Sequence, residues 1–576
     1  MELADYIIIL IYFAGLLVLG GVLGKKVKTS EDMFIAGRNS SWWLSGLSTY
    51  MTIFSASTFV VWGGVAYRSG IVAVVIAMML GIATFFVGWF VVGKWSKQQI
   101  DSPAEYLGIR FNTSVVRFYT IIGIVGRGIH MAVALYAIAI MAVALIPLPE
   151  GHWLANPTTG HLSVTYAVLF LGIITLIYTA AGGFLAVLMT DVVQFAVLFG
   201  MILIMVPLSF DSVGGVGAFI EKAPDGFFSL FSEQYSWGWM VLWLCLNFFM
   251  IGGDWAFVQR YISVPSVKEA KKSAYLVGTL YIVTPILWYT PALVYQVVNP
   301  DANPEQAYML MSQYILKAGM VGLMLAAMIS ATLSTVSSNL NVFANVFAYD
   351  IFRPARPNVS DRTLISSGRW FTYIYGLLIT GVAVMIPYFG GAERVVVPIL
   401  TLVISPLFIP SIWGLFSKRI GSKAVWWSMG ITFFLGITMK TGLFFEDFVS
   451  RHVEFVDAFI GFVVPCMILL VIELFLWKQE TDAGWNRYTQ ASKEAEYVDP
   501  EQVKKNKVAG DLYSSMGIKI MMGTYAAIGI AMGVLAFFDP SHRGELLLYA
   551  ALFIAVSALV LFLYFFKWSK NKAQLN

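Results

Sequence analysis

Val321-Gly-Leu-Met-Leu-Ala-Ala-Met-Ile-Ser330-Ala331-Thr332-Leu-Ser334-Thr335-Val-Ser337-Ser338-Asn339-Leu-Asn341-Val-Phe-Ala-Asn-Val-Phe-Ala-Tyr349 is a run of 29 residues without one Asp, Glu, Lys, Arg or His. A helix of that length spans a bilayer, since about 20 apolar residues cover the ~30 Å hydrocarbon core. Yet eight of the twelve residues from Ser330 to Asn341 carry a hydroxyl or an amide, too many for a surface facing lipid. Helical periodicity puts Ala331, Ser334, Thr335 and Ser338 on one face. Neutral oxygens stacked at mid-depth suit a weakly held hard cation such as sodium. The same small hydroxyl residues also let helices approach closely and hydrogen-bond. From this helix alone both readings stand.

Composition sets the class. Hydrophobic residues make up 59% of the chain and charged residues 12%, as in a polytopic helical membrane protein. The apolar runs are too long and too uniform for barrel strands. Fifteen spans are expected, near 5–24, 43–68, 71–94, 114–145, 163–181, 184–209, 238–258, 274–297, 320–349, 370–388, 395–416, 423–443, 455–477, 518–538 and 545–567. Basic residues gather in alternate loops: Lys25, Lys26, Lys28 and Arg38; Lys94, Lys97, Arg110 and Arg117; Arg260, Lys268, Lys271 and Lys272; Arg353, Arg356, Arg362 and Arg369. The positive-inside rule then places the N-terminus outside and the C-terminus in the cytoplasm of a cell whose inner membrane holds the protein. The net charge of +4 is thus a topology signal, and nucleic acid is not an expected partner. The first span has no small-residue cleavage site and reads as an anchor. The two cysteines, Cys245 and Cys466, lie inside spans and offer neither a disulfide framework nor a metal site. No spacing of His, Cys, Asp or Glu builds an enzyme centre. The polar stretch 478–517 carries no motif and reads as a solvated or regulatory connector.

Two spans look interrupted. Tyr50-Met51-Thr52-Ile53-Phe54-Ser55-Ala56-Ser57-Thr58 is polar in mid-membrane, and the seventh span carries Gly252-Gly253-Asp254. These spans open two blocks of five helices, so the second block is inverted relative to the first. Paired broken helices in an inverted repeat point to the central site of a secondary transporter. Non-helical backbone at that depth is tolerable only where it lines a cavity.

The stretch Tyr178-Thr-Ala-Ala-Gly182-Gly183-Phe-Leu-Ala-Val187-Leu-Met-Thr190-Asp191-Val-Val-Gln194 resembles the signature of the sodium–solute symporters, which include sodium–glucose, proline and sialic-acid carriers. Glu31-Asp32-Met-Phe-Ile-Ala-Gly37-Arg38, Pro103-Ala-Glu105-Tyr106-Leu-Gly-Ile-Arg110-Phe111, Gln259-Arg260 and Asp350-Ile-Phe are similar too. The resemblance covers roughly residues 5 to 480. It implies an all-α, leucine-transporter-type 5+5 inverted repeat with additional peripheral helices. The chain would be one transporter domain, with a leading helix 5–24, a first repeat 43–209, a second repeat 238–416 and peripheral helices 423–567. The expected function is sodium-coupled import of a small polar organic solute by alternating access. Proton coupling or exchange on the same fold is the alternative, and a transporter-like sensor is a third.

The resemblance also implies sites. The main sodium site would take the carbonyls of Met51, Phe54 and Ala331 and the hydroxyls of Ser334 and Thr335. A second sodium site, as in sialic-acid-type members, would take Asp191, Ser334, Ser337 and Ser338. Where the sugar carriers place polar groups around a hexose, this chain aligns Ile53, Ala77, Tyr281 and Pro398, which disfavours the same sugar contacts. Thr58, Phe59, Asn247 and Met250 are expected to face the pocket as well. Arg127 and His130 share a face of the fourth span; the arginine would fork onto a substrate carboxylate or be neutralised by Asp191 or Asp254. The expected partners are the substrate, sodium and the lipid bilayer. No cofactor is expected beyond the coupling ion, and the expected state is a monomer.

Overall fold

A computed structural model describes residues 2–25, 29, 34–149, 151–158, 160–317, 319–389, 395, 403–440, 453–475, 481–496, 500–538 and 540–573. Glu31 to Met33, Pro398 and the far end of the twelfth expected span lie outside the described residues, as do the side chains of Tyr178 and of residues 180–183. In chain order the principal helices begin with α1 Leu3–Gly24, α2 Trp42–Ile53, α3 Gly63–Ser69, α4 Val72–Phe90, α5 Pro103–Arg110, α6 Thr113–Leu145 and α7 Val164–Asp211. Then come α8 Trp237–Gly253, α9 Trp255–Ile262, α10 Val267–Val283, α11 Pro285–Val298, α12 Ala307–Ile315, α13 Met320–Val346 and α14 Asp361–Met385. The last group is α15 Ser405–Gly414, α16 Ser422–Lys440, α17 Val464–Phe475, α18 Ala483–Glu496, α19 Pro500–Phe538 and α20 Arg543–Ala573.

Among the described residues ten helices are long and apolar enough to cross a membrane, and two bent pairs raise the count to twelve. The bent pairs are the two spans whose polar and glycine content marks them as interrupted: α2 with Thr58–Ser69, bent by 64°, and α8 with α9, bent by 53°. Three of the fifteen expected spans are not among those twelve. The fifth is present only as the shorter apolar stretch Val164–Ile177. The eleventh and twelfth run into undescribed residues on one side. The backbone of α7 is helical from Val164 to Asp211, with Pro207 inside it. At ~1.5 Å per residue its contour is over twice the thickness of the hydrocarbon core, and only Phe184–Asp211 is long and apolar enough to count as a span.

The helix with the most serine and threonine residues sits at the centre. The α13 span is fully buried, against 22% for the membrane-crossing windows of α1 and of the last helix. Its polar side chains therefore face neighbouring helices and not lipid. Asp5 of α1 holds its start: Oδ1 accepts from the amides of Gly319 and Gly322, each at 2.7 Å. A carboxylate there satisfies orphan donors and complements the helix dipole. Gly319 has φ +81°, and a Cβ on Gly322 would lie 2.5 Å from the Asp5 backbone. The approach of α1 to α13 therefore requires glycine at both.

On the side bearing the basic loops, one arginine gathers three segments. Fully buried Arg110, at the end of α5, donates to the carbonyls of Gly414 at 2.9 Å, Ser417 at 2.9 Å and Ile420 at 2.7 Å. It also donates to Asp482 Oδ2 at 2.9 Å. Asp482 leads into α18, which returns Arg487 to the carbonyls of Ile109 and Phe111 at 3.1 and 2.9 Å. Tyr488 packs on Tyr106, with ring centroids 5.8 Å apart. The stretch Ala483–Glu496 is therefore a helix docked on α5, with the Tyr488 ring buried beside Tyr106 and the exposed Arg487 reaching back to the end of α5. Arg110→Ala leaves three buried carbonyls and a carboxylate without their donor, which should cost about 3–5 kcal/mol. Thermal denaturation of detergent-purified protein should show a markedly lower midpoint; an unchanged midpoint would mean that α5, α15 and α18 are held together by other contacts.

Candidate ion and substrate site

The site begins with backbone that α2 gives up. Helical geometry stops at Phe54, where φ is −77° and ψ 122°; a wider π-helical turn follows over Thr58–Trp62, and regular helix resumes with α3 at Gly63. Buried in the membrane, the freed amides and carbonyls need protein partners. α13 supplies them. The amide of Ala56 donates to Thr332 Oγ1 at 2.9 Å. Thr335 Oγ1 lies 2.8 Å from the carbonyl of Phe54, 3.1 Å from that of Thr52 and 3.3 Å from that of Ala331. One hydroxyl proton cannot satisfy three carbonyls. The surplus of acceptor oxygens over donors is what a bare hard cation requires, so the donor set fits sodium.

This cluster unites Phe54, Ala331 and Thr335, three of the five residues expected to hold the main ion. The Thr52 carbonyl also joins the cluster, one residue along the break from Met51. Ser334 turns away: its hydroxyl donates to Asp191 Oδ1 at 2.6 Å. Successive helical residues point ~100° apart, so Thr335 faces the α2 break while Ser334 faces α7.

Asp191 is fully buried on α7. Its carboxylate accepts from Ser334 and from Ser48 of α2, and Arg260 Nη2 lies 3.7 Å from Oδ2. The arginine, on α9, donates to Ser48 Oγ at 2.9 Å, Ser338 Oγ at 2.6 Å and the Ala256 carbonyl at 2.8 Å. Of the second set, Asp191 and Ser334 are in direct contact and Ser338 joins them through Arg260. Ser337 instead bonds back to the Ser334 carbonyl at 3.1 Å. Sequence reading missed Ser48, Thr52, Thr332 and the role of Arg260. Ser48 and Thr52, four residues apart on α2, carried a signal in sharing one helical face.

Arg127 is committed inside the protein. Its guanidinium pairs with Asp254, the residue at the α8–α9 break, whose other oxygen caps α9 through the Ala256 amide at 2.8 Å. With Tyr119, Asn339, Trp255 and Phe343 the pair lines a cavity of about 30 Å³, room for a water or two. His130, a turn further along α6, has no partner for its buried Nδ1 among the described residues. Tyr281 and Phe59 belong to an aromatic wall around the break. Tyr281 packs on Tyr50 with ring centroids 4.6 Å apart and planes tilted by 46°, and Phe59 packs on Tyr308 of α12 at 4.6 Å and on Phe54 at 5.4 Å. Phe59 therefore faces protein, not an open pocket. Ile53 and Thr58 sit half-buried at the break, and Thr58 Oγ1 accepts the Ser55 amide at 3.3 Å. Asn247 turns its amide to the Trp243 carbonyl of its own helix at 2.7 Å. Met250 and Ala77 lie on α8 and α4, which pack together.

The model of the sodium:solute symporter family matches residues 33–431, well over half of the chain. This chain belongs to the sodium:solute symporter family. The symporter is 28% identical over 396 residues to the sodium/sialic acid symporter NanT of Aliivibrio fischeri, covering 65% of this chain and 75% of that protein. It is 25% identical over 432 residues to the sodium/glucose cotransporter of Vibrio parahaemolyticus, covering 69% and 77%. Among solved structures it is similar to a sodium-coupled sialic acid symporter in a substrate-bound, outward-open state, with TM-score 0.67, 23% identity and coverage of 82% and 98%. A nucleobase–cation symporter in a closed conformation gives TM-score 0.53 at 14% identity over 80% and 98%. The fold is the leucine-transporter type, and the protein is a multi-pass, sodium-coupled secondary transporter, not an enzyme.

Thr335→Val keeps the shape of the side chain and deletes its oxygen. Losing one ligand of a charge is worth about 1.5–3 kcal/mol, so half-maximal sodium activation of uptake should rise roughly 10- to 100-fold in folded protein. Unchanged sodium activation would remove Thr335 from the ion site.

Proposed function

We propose that this symporter couples two sodium ions to the uptake of a small polar solute without net charge. The observation that carries the reading is the convergence of the Phe54, Thr52 and Ala331 carbonyls on the Thr335 hydroxyl. An all-neutral oxygen shell binds an ion weakly enough to release it in every cycle, and it joins the broken helix of one repeat to the central helix of the other. Asp191 with Ser334 and Ser338 supplies the second, anionic site; the sodium-coupled sialic acid symporter, whose structure reveals a novel sodium site, is a parallel. The repeats occupy 43–209 and 238–416. The protein works as a monomer in the inner membrane, with the N-terminus outside and the C-terminus in the cytoplasm.

The substrate reading rests on Arg127. Because Asp254 already neutralises its guanidinium, a substrate carboxylate would have to displace a buried counter-ion. A neutral solute meets no such competition. Ile53, Thr58, Ala77, Met250 and Tyr281 line its path near the break, with Asn247 on the same helix as Met250.

Asp191→Asn removes the only formal anion of the second site and should lower the Hill slope for sodium from two toward one in proteoliposome uptake. A wild-type slope of one, unchanged by the substitution, would leave Asp191 a structural role. Screening a solute panel by sodium-dependent thermal shift should give saturable stabilisation by a neutral compound. Stabilisation by carboxylates alone, lost in Arg127→Lys, would overturn the neutral-substrate reading, since lysine keeps the charge but not the fork.

A further inference from the structure

The second ion site as proposed above shares its oxygens with a side chain. Arg260 Nη2 lies 2.6 Å from Ser338 Oγ and 3.7 Å from Asp191 Oδ2, while Nε donates to Ser48 Oγ at 2.9 Å. Ser48 in turn donates to the same Asp191 oxygen. Side chains of both Arg260 and Asp191 are fully buried. We propose that Arg260 is a tethered counter-cation of the second sodium site, exchanging places with the ion on Asp191 and Ser338 during the cycle.

Charge makes the two occupants exclusive. The cluster holds one carboxylate and one guanidinium, and among the described residues Asp191 makes its ion pair with Arg260 alone. Adding a sodium ion beside both would leave a net positive charge at membrane depth, which is expensive. Oxygen count points the same way. Ser338 Oγ accepts from Nη2 at a short distance, and a lone pair used by a guanidinium is unavailable to an ion.

Exchange would couple ion binding to the broken helix of the second repeat. Arg260 sits on α9, and its backbone carbonyl accepts from Ser45 of α2 at 2.9 Å. Through its side chain it also reaches α2, α7 and α13. Sodium arriving at Asp191 would release the side-chain ties while the backbone tie remains, and the returning guanidinium would help expel the ion. Arg260 is in this sense a positioning residue, acting on the ion and not on the substrate.

This inference rests on the second-site reading, and the test separates the two. Sodium titrations of purified protein, followed by thermal stabilisation and by uptake, are compared for wild type, Asp191→Asn and Arg260→Gln. Removing a neighbouring like charge shifts such an equilibrium by about tenfold or more. Arg260→Gln should therefore need about tenfold less sodium for half-saturation, keep the wild-type Hill slope, and turn over more slowly because release is unassisted. If Arg260→Gln does not accumulate as folded protein, Ser48→Ala loosens the same guanidinium and should also lower the half-saturating sodium concentration. A half-saturation point unchanged or raised in the folded variant, with a Hill slope of two that Asp191→Asn reduces, would overturn the exchange while keeping the site. A Hill slope of one in wild type and in Asp191→Asn would overturn the site itself.

Discussion

A polypeptide backbone inside a membrane must satisfy its own amides and carbonyls, and the rest of this structure answers to that constraint at Phe54. The break in α2 lies at membrane depth, so its polar groups need partners from another helix. This explains why α13, the most deeply buried span, is also the richest in serine and threonine. Thr332 takes the freed amide of Ala56 and Thr335 contacts the freed carbonyls. The two side chains split the task by polarity, one accepting and one donating. On the donating side, carbonyl oxygens outnumber protons, and the proposed ion site rests on that imbalance.

The buried charges obey a second pattern. Asp191 on α7 pairs with Arg260 on α9, and Arg127 on α6 pairs with Asp254 at the α8–α9 break. Each of the two five-helix blocks contributes one acid and one base, and each pair crosses between blocks. A single unpaired charge costs about 2.5–3.5 kcal/mol even on the lenient insertion scale, so both pairs favour assembly of the two blocks around the break. They also sit where rocking of one block against the other would be felt first. Alternating access must either carry these pairs as hinges or break them with something to replace the lost partner, and a coupling cation is a suitable replacement for an arginine.

Much of this was legible in the chain. Polar residues in Tyr50 to Thr58 and the Gly252-Gly253-Asp254 triplet mark the two breaks because a lipid-buried helix tolerates neither without a reason. The central place of α13 follows from hydroxyls that lipid would not accept. What escaped the sequence were orientations and partners. Ser334 and Thr335 are adjacent in sequence yet serve different clusters, which only the placement of α7 and α2 on either side of α13 decides. At the break, the Thr52 carbonyl beside the Thr335 hydroxyl was not singled out, because a run of polar and apolar residues aligns almost equally well one step along. Arg260 read as part of a motif; its partner lies 69 positions earlier in the chain, on a helix whose approach no local pattern encodes. The docking of α18 was hidden because a polar, amphipathic helix reads alike whether it meets water or a protein surface.

The central claim is that a sodium ion sits where α2 is interrupted, held by backbone carbonyls and by α13. Its most direct test is a pair of experimental structures of the same protein, one in sodium and one in choline. The account predicts an ion density bounded by the carbonyls of Phe54, Thr52 and Ala331 and by the Thr335 hydroxyl in sodium, absent in choline. Density for sodium elsewhere, with the Thr335 hydroxyl still bonded to the Phe54 carbonyl in both salts, would contradict it.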